Sequence, residues 1–338
     1  MFNRILVPLD GSQLAEQAIL HAEYFASIFG SDIILLHVLD PGDVESPQNA
    51  VDPLLWQIRK TEIETYLQGV AQRIQNQLDR LSSTGKTDRK RRVEIDIREG
   101  KIAENIINFA HAKKVDLLII SSHGSGGLSR SNVSSITMKV INLIYLPVLL
   151  IRSYKVPNFR DDTIFYRRIL IPIDNSRRSE CALPAGIELA RGVPAASENA
   201  AKTKLELVGV IQPPQIPIPE PYPDEIGKLT AQLLEASRQA AYRYFNDLKE
   251  RIPVDCDTSV VENTSVAAAL HELAERQEVD LVILCAHGQS GQVIWPYGTI
   301  ARNYIEHGTK SVLVVQDIPL ALVKPSAAEI AAEQSGRR

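Results

Sequence analysis

The feature that most constrains the fold of this chain is an internal repeat. Residues 4–12 have the sequence RILVPLDGS and return as RILIPIDNS at residues 168–176; residues 115–120, VDLLII, return as VDLVIL at residues 279–284. Both blocks recur after 164 residues, and chance does not plausibly give two separate blocks the same displacement. The repeat therefore predicts a duplicated domain. Because each block places polar or glycine residues just after an apolar run, it also predicts a site.

The length of the chain agrees with a duplication, because 338 residues make two domains of common size. We predict a first domain over 1–152, a linker over 153–166, a second domain over 167–316 and a tail over 317–338. The two predicted domains are called copy 1 and copy 2 below. The basic stretch 86–92 predicts a solvated loop, with contact to an anion or a partner as the alternative.

Composition excludes several classes of protein. The net charge of −4 gives no general attraction to nucleic acid or to an anionic membrane, and no apolar run approaches the roughly 20 residues that span a bilayer. The chain opens into a strand that contains Arg4 and Asp10, so no signal peptide is expected. Its three cysteines, Cys181, Cys256 and Cys285, all lie in copy 2, which disfavours a disulfide framework. We therefore expect a cytoplasmic protein with no membrane or nucleic-acid partner.

Apolar patterning predicts the order βαβαβαβαβ in each copy. Ser12 is expected to begin a helix whose apolar residues step by three or four, and Gly30 to end it. Strict alternation over 93–97 predicts a strand near a sheet edge. The other helices of copy 1 are predicted over 53–81, 102–111 and 131–145. Alternating buried strands and amphipathic helices predict an α/β fold with a parallel sheet that is covered on both faces.

Polar and glycine residues follow the first and fourth predicted strands of each copy. In copy 1 these are Asp10 and the turn 121–124, and in copy 2 Asp174 and the turn 285–288. Ligands of open parallel sheets bind at the carboxyl ends of the strands, where a carboxylate can accept hydrogen bonds from ribose. Glycine turns and helix N-termini favour phosphate. This arrangement favours a nucleotide ligand.

At these motifs the chain resembles the universal stress protein family in its tandem form. The resemblance rests on the ILVPLDGS opening, the Ser-His-Gly turn at 122–124 and the apolar run 147–151, and it covers 1–152 and 167–316. It implies two tandem Rossmann-like domains of the adenine nucleotide alpha hydrolase-like type. Each would have a five-stranded parallel sheet in the order 3-2-1-4-5 with helices on both faces. It also implies an internal pseudo-dimer through the fifth strands, with a homodimer of chains as a further option.

The nucleotide-binding pattern of the family is Gly-x2-Gly-x9-Gly-Ser/Thr, and both copies depart from it. The matching residues are Ser121, Gly124, Ser134 and Ser135 in copy 1, and Cys285, Gly288, Gly298 and Thr299 in copy 2. Copy 1 replaces two of the three glycines by serine, whereas copy 2 replaces only the first. The pattern therefore favours copy 2 as the binding site, although Trp295 and Tyr297 are bulky enough to block its pocket.

The resemblance gives a role to each part of the pattern. Asp10 or Asp174 would hold ribose, Val38 or Val210 would contact adenine, and the glycine turn would wrap the phosphates. The predicted nucleotide-binding residues are Pro172, Asp174, Val210, Gly288, Gly298 and Thr299 in copy 2, and Pro8, Asp10, Val38, Gly124, Ser134 and Ser135 in copy 1. The implied ligand is ATP or AMP, with Mg²⁺ as an optional companion, and no catalytic residue is implied.

Three functions follow as hypotheses. The first is a stress-response regulatory protein that binds adenine nucleotide and acts on an unidentified protein partner. The alternative is a nucleotide-free interaction scaffold for the stress response, which the lost glycines favour. The third, an adenylating enzyme, is disfavoured because residues 10–13, DGSQ, stand where such enzymes carry Ser-Gly-Gly-x-Asp-Ser. Since no Gly-x4-Gly-Lys-Ser/Thr motif occurs, at most weak ATPase activity or autophosphorylation is expected.

Simpler structural roles compete with the functional ones at several positions. Asp10 and Asp174 are alternatively helix caps, as is the pair Ser134-Ser135. His123 and His287 are expected to be turn residues rather than metal ligands or acid–base groups. Cys285 is expected to be a small buried residue rather than a reactive thiol.

Overall fold

A computed structural model of the chain describes residues 1–40, 53–82, 91–124, 133–153, 164–192, 202–216, 223–289 and 296–318. Copy 1 has the predicted alternation of strands and helices. Its elements are β1 (Arg4–Pro8), α1 (Gln13–Phe29), β2 (Asp32–Leu39), α2 (Pro53–Ser82), β3 (Val93–Glu99), α3 (Ile102–Ala112), β4 (Leu117–Ser121), α4 (Ser135–Leu143) and β5 (Val148–Ile151).

Copy 2 repeats this order with one difference, which follows its first strand. Its elements are β6 (Arg168–Pro172), a 3₁₀ turn (Ser179–Ala182), α5 (Leu183–Arg191), β7 (Lys204–Ile211), α6 (Asp224–Arg251), β8 (Cys256–Glu262), α7 (Val266–Arg276), β9 (Leu281–Cys285), α8 (Thr299–His307) and β10 (Ser311–Val315). A proline lies in the first turn of α5, a position where its missing N–H leaves no hydrogen bond unmade. The single helix expected here is therefore divided into a 3₁₀ turn and a shorter α-helix.

The strands form a ten-stranded sheet in the order β3-β2-β1-β4-β5-β10-β9-β6-β7-β8. Each copy contributes five parallel strands in the order 3-2-1-4-5, as the resemblance implies. The two five-stranded sheets join at their fifth strands, as the implied internal pseudo-dimer requires, and together form one larger sheet. The reason is visible in the sequence of β5, whose four residues are all buried and would otherwise form an exposed apolar edge.

The two copies meet through β5 and β10, which pair antiparallel. Leu150 lies opposite Val312, and Leu149 lies opposite Leu313. All four side chains are at most 1% exposed. The predicted internal pseudo-dimer is confirmed, because the two strands pair directly and the apolar core on each face of the sheet continues across the pair.

Side chains at the junction add polar contacts to this core. The Arg152 guanidinium donates hydrogen bonds to the backbone oxygens of Tyr304 (2.8 Å) and Ile305 (2.6 Å) in the last turn of α8. A cation is favoured at this end of a helix. On the opposite face of the sheet, His21 of α1 hydrogen-bonds the hydroxyl of Tyr166, which lies just before β6.

The predicted boundaries of α1 are confirmed. The Ser12 hydroxyl accepts a hydrogen bond from the amide of Ala15, and Gly30 ends the helix with φ of 70°. Helix α4 begins at Ser135 rather than at the predicted residue 131, because Ser134 is its N-cap. Predictions on the basic loop up to residue 90, on most of the linker and on the tail beyond residue 318 lie outside the described residues. Within the described residues, no helix combines the length and the apolar character that crossing a bilayer requires.

Candidate functional site

A cavity of about 1090 Å³ opens at the carboxyl ends of β1 and β4 in copy 1. All six copy 1 residues predicted from the sequence line it: Pro8, Asp10, Val38, Gly124, Ser134 and Ser135. They come from four separate stretches of chain, and the parallel sheet brings them together. Ligand pockets in proteins have volumes of roughly 300–1,000 Å³, so the cavity has room for a drug-sized or nucleotide-sized molecule.

Asp10 lies in the turn that connects β1 to α1. Gly11 takes φ of 81°, a left-handed conformation that favours glycine, and the amide of Ser12 donates to Asp10 Oδ1 at 2.9 Å. Because Ser12 rather than Asp10 caps α1, the alternative role of Asp10 as a helix cap is wrong. A Cβ atom at Gly124 would collide with Asp10 Oδ2, so only glycine lets the turn after β4 approach this carboxylate.

Serine hydroxyls hold the turn after β4 where the family pattern has glycine. Ser121 Oγ donates to the backbone oxygen of His123 at 2.6 Å and also contacts Ser153 Oγ. The amide of Ser153 donates to Ser122 Oγ at 3.3 Å. The Ser121 side chain therefore belongs to the support of the turn.

The first turn of α4 faces the cavity. Ser134 Oγ accepts from the amide of Thr137 at 3.1 Å, so the alternative role of Ser134 as an N-cap is confirmed. Ser134 to Thr137 all line the cavity. Helix N-termini carry partial positive charge and free N–H groups, which makes this wall suited to an anion.

Helix α2 supplies a wall that the sequence motifs do not predict. Arg59, Glu62, Ile63 and Tyr66 line the cavity from this helix. The Tyr66 hydroxyl donates to Glu16 of α1 at 2.7 Å, which joins α2 to α1. No spacing in the sequence brings α2 to the cavity, and only the folded packing shows it.

The corresponding carboxylate of copy 2, Asp174, accepts hydrogen bonds from two turns. Its Oδ1 accepts from the amide and hydroxyl of Ser176, and its Oδ2 accepts from the amide of Gln289 at 2.6 Å. Burial opposes ionisation of Asp174, but these hydrogen bonds prevail and hold the pKa of its carboxyl below the ordinary value. As in copy 1, a Cβ atom at Gly288 would collide with the carboxylate.

Tyr297 distinguishes the second crevice from the first. It stands 164 residues after Val133, which lines the copy 1 cavity. Tyr297 is 5% exposed and belongs to the buried cluster that also contains Ala286 and Ala301. The amide of Gly298 donates to the backbone oxygen of Ala286 at 2.7 Å, as the amide of Ser134 does to that of Ser122 in copy 1 at 2.9 Å, so the difference lies in the side chain. Trp295 lies outside the described residues.

The duplicated fold and its motifs correspond to a known family. The sequence profile described as the Universal stress protein family matches residues 1–152 and again residues 165–316. The chain belongs to the universal stress protein family.

Two relatives show the single and the tandem form of this family. The chain is 24% identical over 320 residues to a universal stress protein of Mycolicibacterium smegmatis, a match that covers 92% of this chain and 96% of that protein. It is 26% identical over 169 residues to a universal stress protein of Methanocaldococcus jannaschii, which covers 45% of this chain and 96% of that protein. A copy is thus about as long as a whole single-domain relative.

A solved structure supports the fold. The crystal structure of a universal stress protein from Archaeoglobus fulgidus matches with a TM-score of 0.61 at 15% identity, and the match covers 94% of this chain and 100% of that one. The two copies together therefore have the fold of a tandem universal stress protein.

The two turn histidines of this tandem universal stress protein have different partners. His123 Nδ1 lies 3.0 Å from Ser122 Oγ, and His287 Nδ1 lies 2.7 Å from Asp317 Oδ1. Arg178 forms an ion pair with the same Asp317 at 3.0 Å. The sequence did not predict Asp317 as a site residue, because it lies beyond the last strand of the repeat. Among the described residues, no group of three histidine, cysteine or acidic side chains is placed to hold a metal ion.

Proposed function

We propose that this universal stress protein is a regulatory adenine-nucleotide-binding protein of the stress response, and that the nucleotide binds in the copy 1 cavity. The observation that carries the proposal is the convergence of all six predicted copy 1 residues on one cavity of about 1090 Å³. ATP and AMP are the ligands proposed.

The lining supplies a suitable group for each part of such a ligand. Asp10 is exposed at the cavity and can accept hydrogen bonds from ribose hydroxyls. Val38, with Ile102 and Ile106 of α3, gives an apolar surface for adenine. The N-terminus of α4 and the Gly124 turn offer backbone N–H groups to the phosphates.

The choice of copy 1 differs from the preference that glycine spacing suggests. In copy 2, the bulky buried Tyr297 takes the place of Val133. A ligand there would have to displace a packed aromatic ring. In copy 1 the loss of two glycines should weaken nucleotide binding less than the family pattern suggests. The Ser121 hydroxyl bonds to the turn after β4, and the Ser134 hydroxyl bonds to the first turn of α4.

We propose binding and regulation without efficient catalysis. The sequence has no P-loop motif to position phosphates for transfer, so weak ATPase activity or autophosphorylation is the most we expect. Mg²⁺ has no side-chain cluster of its own among the described residues, and it is not needed for any step of the proposal.

Isothermal titration of the purified, ligand-free chain with ATP and with AMP tests this function. We expect heat of binding at one site per chain. Because a ligand that binds only the folded state stabilises it, the melting temperature should rise with nucleotide concentration. A folded, ligand-free protein that gives neither heat nor a shift with either nucleotide would overturn the proposal.

The second candidate, a nucleotide-free interaction scaffold, is favoured by exposed apolar residues at the start of α2. Leu54, Leu55 and Ile58 are 68%, 55% and 46% exposed. Leu229 and Leu233 are similarly exposed near the start of α6. A scaffold that uses these surfaces would melt at the same temperature with and without nucleotide.

A further inference from the structure

Two cysteines of copy 2 lie side by side at the second crevice. Cys181, in the 3₁₀ turn after β6, has its Sγ atom 2.9 Å from the Sγ atom of Cys285 at the end of β9. Both are free thiols, and both are partly exposed. A disulfide bond is about 2.05 Å long, so the two sulfurs need to move together by less than about 1 Å.

The pair is specific to copy 2. The residues 164 positions earlier are Gln17 and Ser121, neither of which is a cysteine. Ser121 in copy 1 bonds to its own turn, whereas Cys285 in the same place accepts a hydrogen bond from the thiol of Cys181. The two cysteines are thus matched across elements that are 104 residues apart in the chain.

The third cysteine is too far away to compete. Cys256 is buried at the start of β8, and β6 and β7 separate that strand from β9. Three steps between neighbouring strands span roughly 14 Å. Cys256 also lies at the opposite end of the parallel strands, because it is the first residue of β8 whereas Cys285 is the last residue of β9.

We propose that Cys181 and Cys285 form a reversible disulfide when the protein meets a hydroperoxide, so that copy 2 is a thiol-based redox site. This differs from the expectation that Cys285 is only a small buried residue. In the first step the Cys285 thiolate attacks one peroxide oxygen, the O–O bond breaks, and a sulfenic acid forms with release of hydroxide or alkoxide. In the second step the Cys181 sulfur attacks the sulfenic sulfur, the S–O bond breaks, and water leaves. Overall, the two thiols lose two electrons and two protons, and the hydroperoxide is reduced to water and an alcohol, or to two waters.

The surroundings divide the roles between the two sulfurs. The hydrogen bond to Cys285 and burial raise the pKa of the Cys181 thiol, so Cys181 keeps its proton until the second step. The attack on the oxidant is therefore assigned to Cys285, whose sulfur accepts that hydrogen bond. Arg178 and Asp317 form an ion pair beside the thiols, and the two charges act in opposite senses on Cys181: the Asp317 carboxylate raises the pKa of its thiol, and the Arg178 guanidinium lowers it.

The disulfide would connect the turn after β6 to the turn after β9. Asp174 and Gln289 already join the same two turns by a hydrogen bond of 2.6 Å. Oxidation would add a covalent link beside that hydrogen bond. The link would further restrain the two turns relative to each other.

The test uses the full chain, reduced, desalted and then treated with an equivalent amount of hydrogen peroxide. Remaining thiols are alkylated, and the peptides are mapped by mass spectrometry without reduction. We expect the alkylatable thiols to fall from three to one, with a Cys181–Cys285 cross-linked peptide and an alkylated Cys256. A thiol reductant should restore all three.

Variants supply the controls. Cys285→Ser, which installs the residue of copy 1, and Cys181→Ser should each abolish the cross-link, whereas Cys256→Ser should keep it. The proposal is overturned if treated wild type keeps three alkylatable thiols, if Cys285 becomes sulfinic acid while Cys181 stays alkylatable, or if cross-links join only separate chains.

Discussion

At the scale of single residues, the two copies keep the same motif but surround it differently. Asp10 and Asp174 occupy equivalent turns, and glycine at 124 or 288 approaches each of them. The difference arises 164 residues apart at Val133 and Tyr297: the first lines a cavity, and the second is packed into the core. Under our proposal, this difference in side-chain size outweighs the glycine pattern, which favours copy 2.

Replacing either glycine by alanine tests this difference. Gly124→Ala should weaken nucleotide binding at least tenfold, because the new Cβ atom would displace the Asp10 carboxylate. Gly288→Ala makes the same collision with Asp174 and is the matched control. Isothermal titration with ATP measures both variants, and an equal loss of affinity in the two would contradict the assignment to copy 1.

Sequence reasoning identified the copy 1 lining at the strand ends but not the residues whose role depends on packing. Pro8, Asp10, Val38 and Gly124 follow from motif and position, since parallel strands bring their carboxyl ends to one edge. The partners of His287 and of Cys285 could not be predicted. Asp317 lies outside the repeat, and Cys181 lies 104 residues from Cys285, so neither contact leaves a local pattern.

At the scale of elements, the helix that borders the cavity depends on its cap. Ser134 Oγ accepts from the amide of Thr137, and the turn thereby positions the N-terminus of α4. Ser134→Ala should lower the free energy of unfolding by about 1 kcal/mol, and Ser134→Gly by only a few tenths. Urea unfolding measures the change, with the exposed neighbour variant Ser135→Ala as control. Equal losses for Ser134→Ala and Ser135→Ala would exclude the cap as the cause.

The order of elements was predictable because buried strands and amphipathic helices alternate so regularly. The sequence predicted α1 correctly from Ser12 and Gly30, both of which act through local geometry. It placed the start of α4 four residues early, at residue 131, whereas Ser134 caps a helix that begins at Ser135. It missed the division of the copy 2 helix at α5, where a proline lies within the first turn.

At the scale of the whole molecule, β5 and β10 convert two sheets into one. Both strands are buried, so an isolated copy would expose an apolar edge with unpaired backbone groups. A fragment of residues 1–152 should therefore form a homodimer through β5, as copy 1 does with copy 2. Light scattering after size-exclusion chromatography measures its mass, and a folded fragment that remains monomeric at micromolar concentration would contradict this view of the junction.

The junction also predicts an acid-sensitive stability. Burial lowers the pKa of His21 from 6.5 to about 3, where its ring contacts Tyr166. Between these values the unfolded chain binds a proton that the folded chain does not, so the free energy of unfolding decreases as the pH falls below 6.5. The slope from this residue is at most about 1.4 kcal/mol per pH unit.

Urea unfolding between pH 7 and pH 4.5 measures this dependence. His21→Gln, which cannot be protonated in this range, should show a flatter profile than wild type. His307→Gln, at a histidine whose side chain is 61% exposed, is the control for replacing a histidine as such. Identical profiles for wild type and His21→Gln would show that His21 does not cause the acid sensitivity.

The most direct test of the account is a titration of the full chain with ATP and AMP in three forms: wild type, Asp10→Asn and Asp174→Asn. Each variant replaces a carboxylate by an amide at an equivalent position. Of the two aspartates, only Asp10 lines the cavity of about 1090 Å³. We predict one site per chain in wild type, a loss of affinity in Asp10→Asn, and wild-type binding in Asp174→Asn. Binding that survives in Asp10→Asn but disappears in Asp174→Asn would contradict the account.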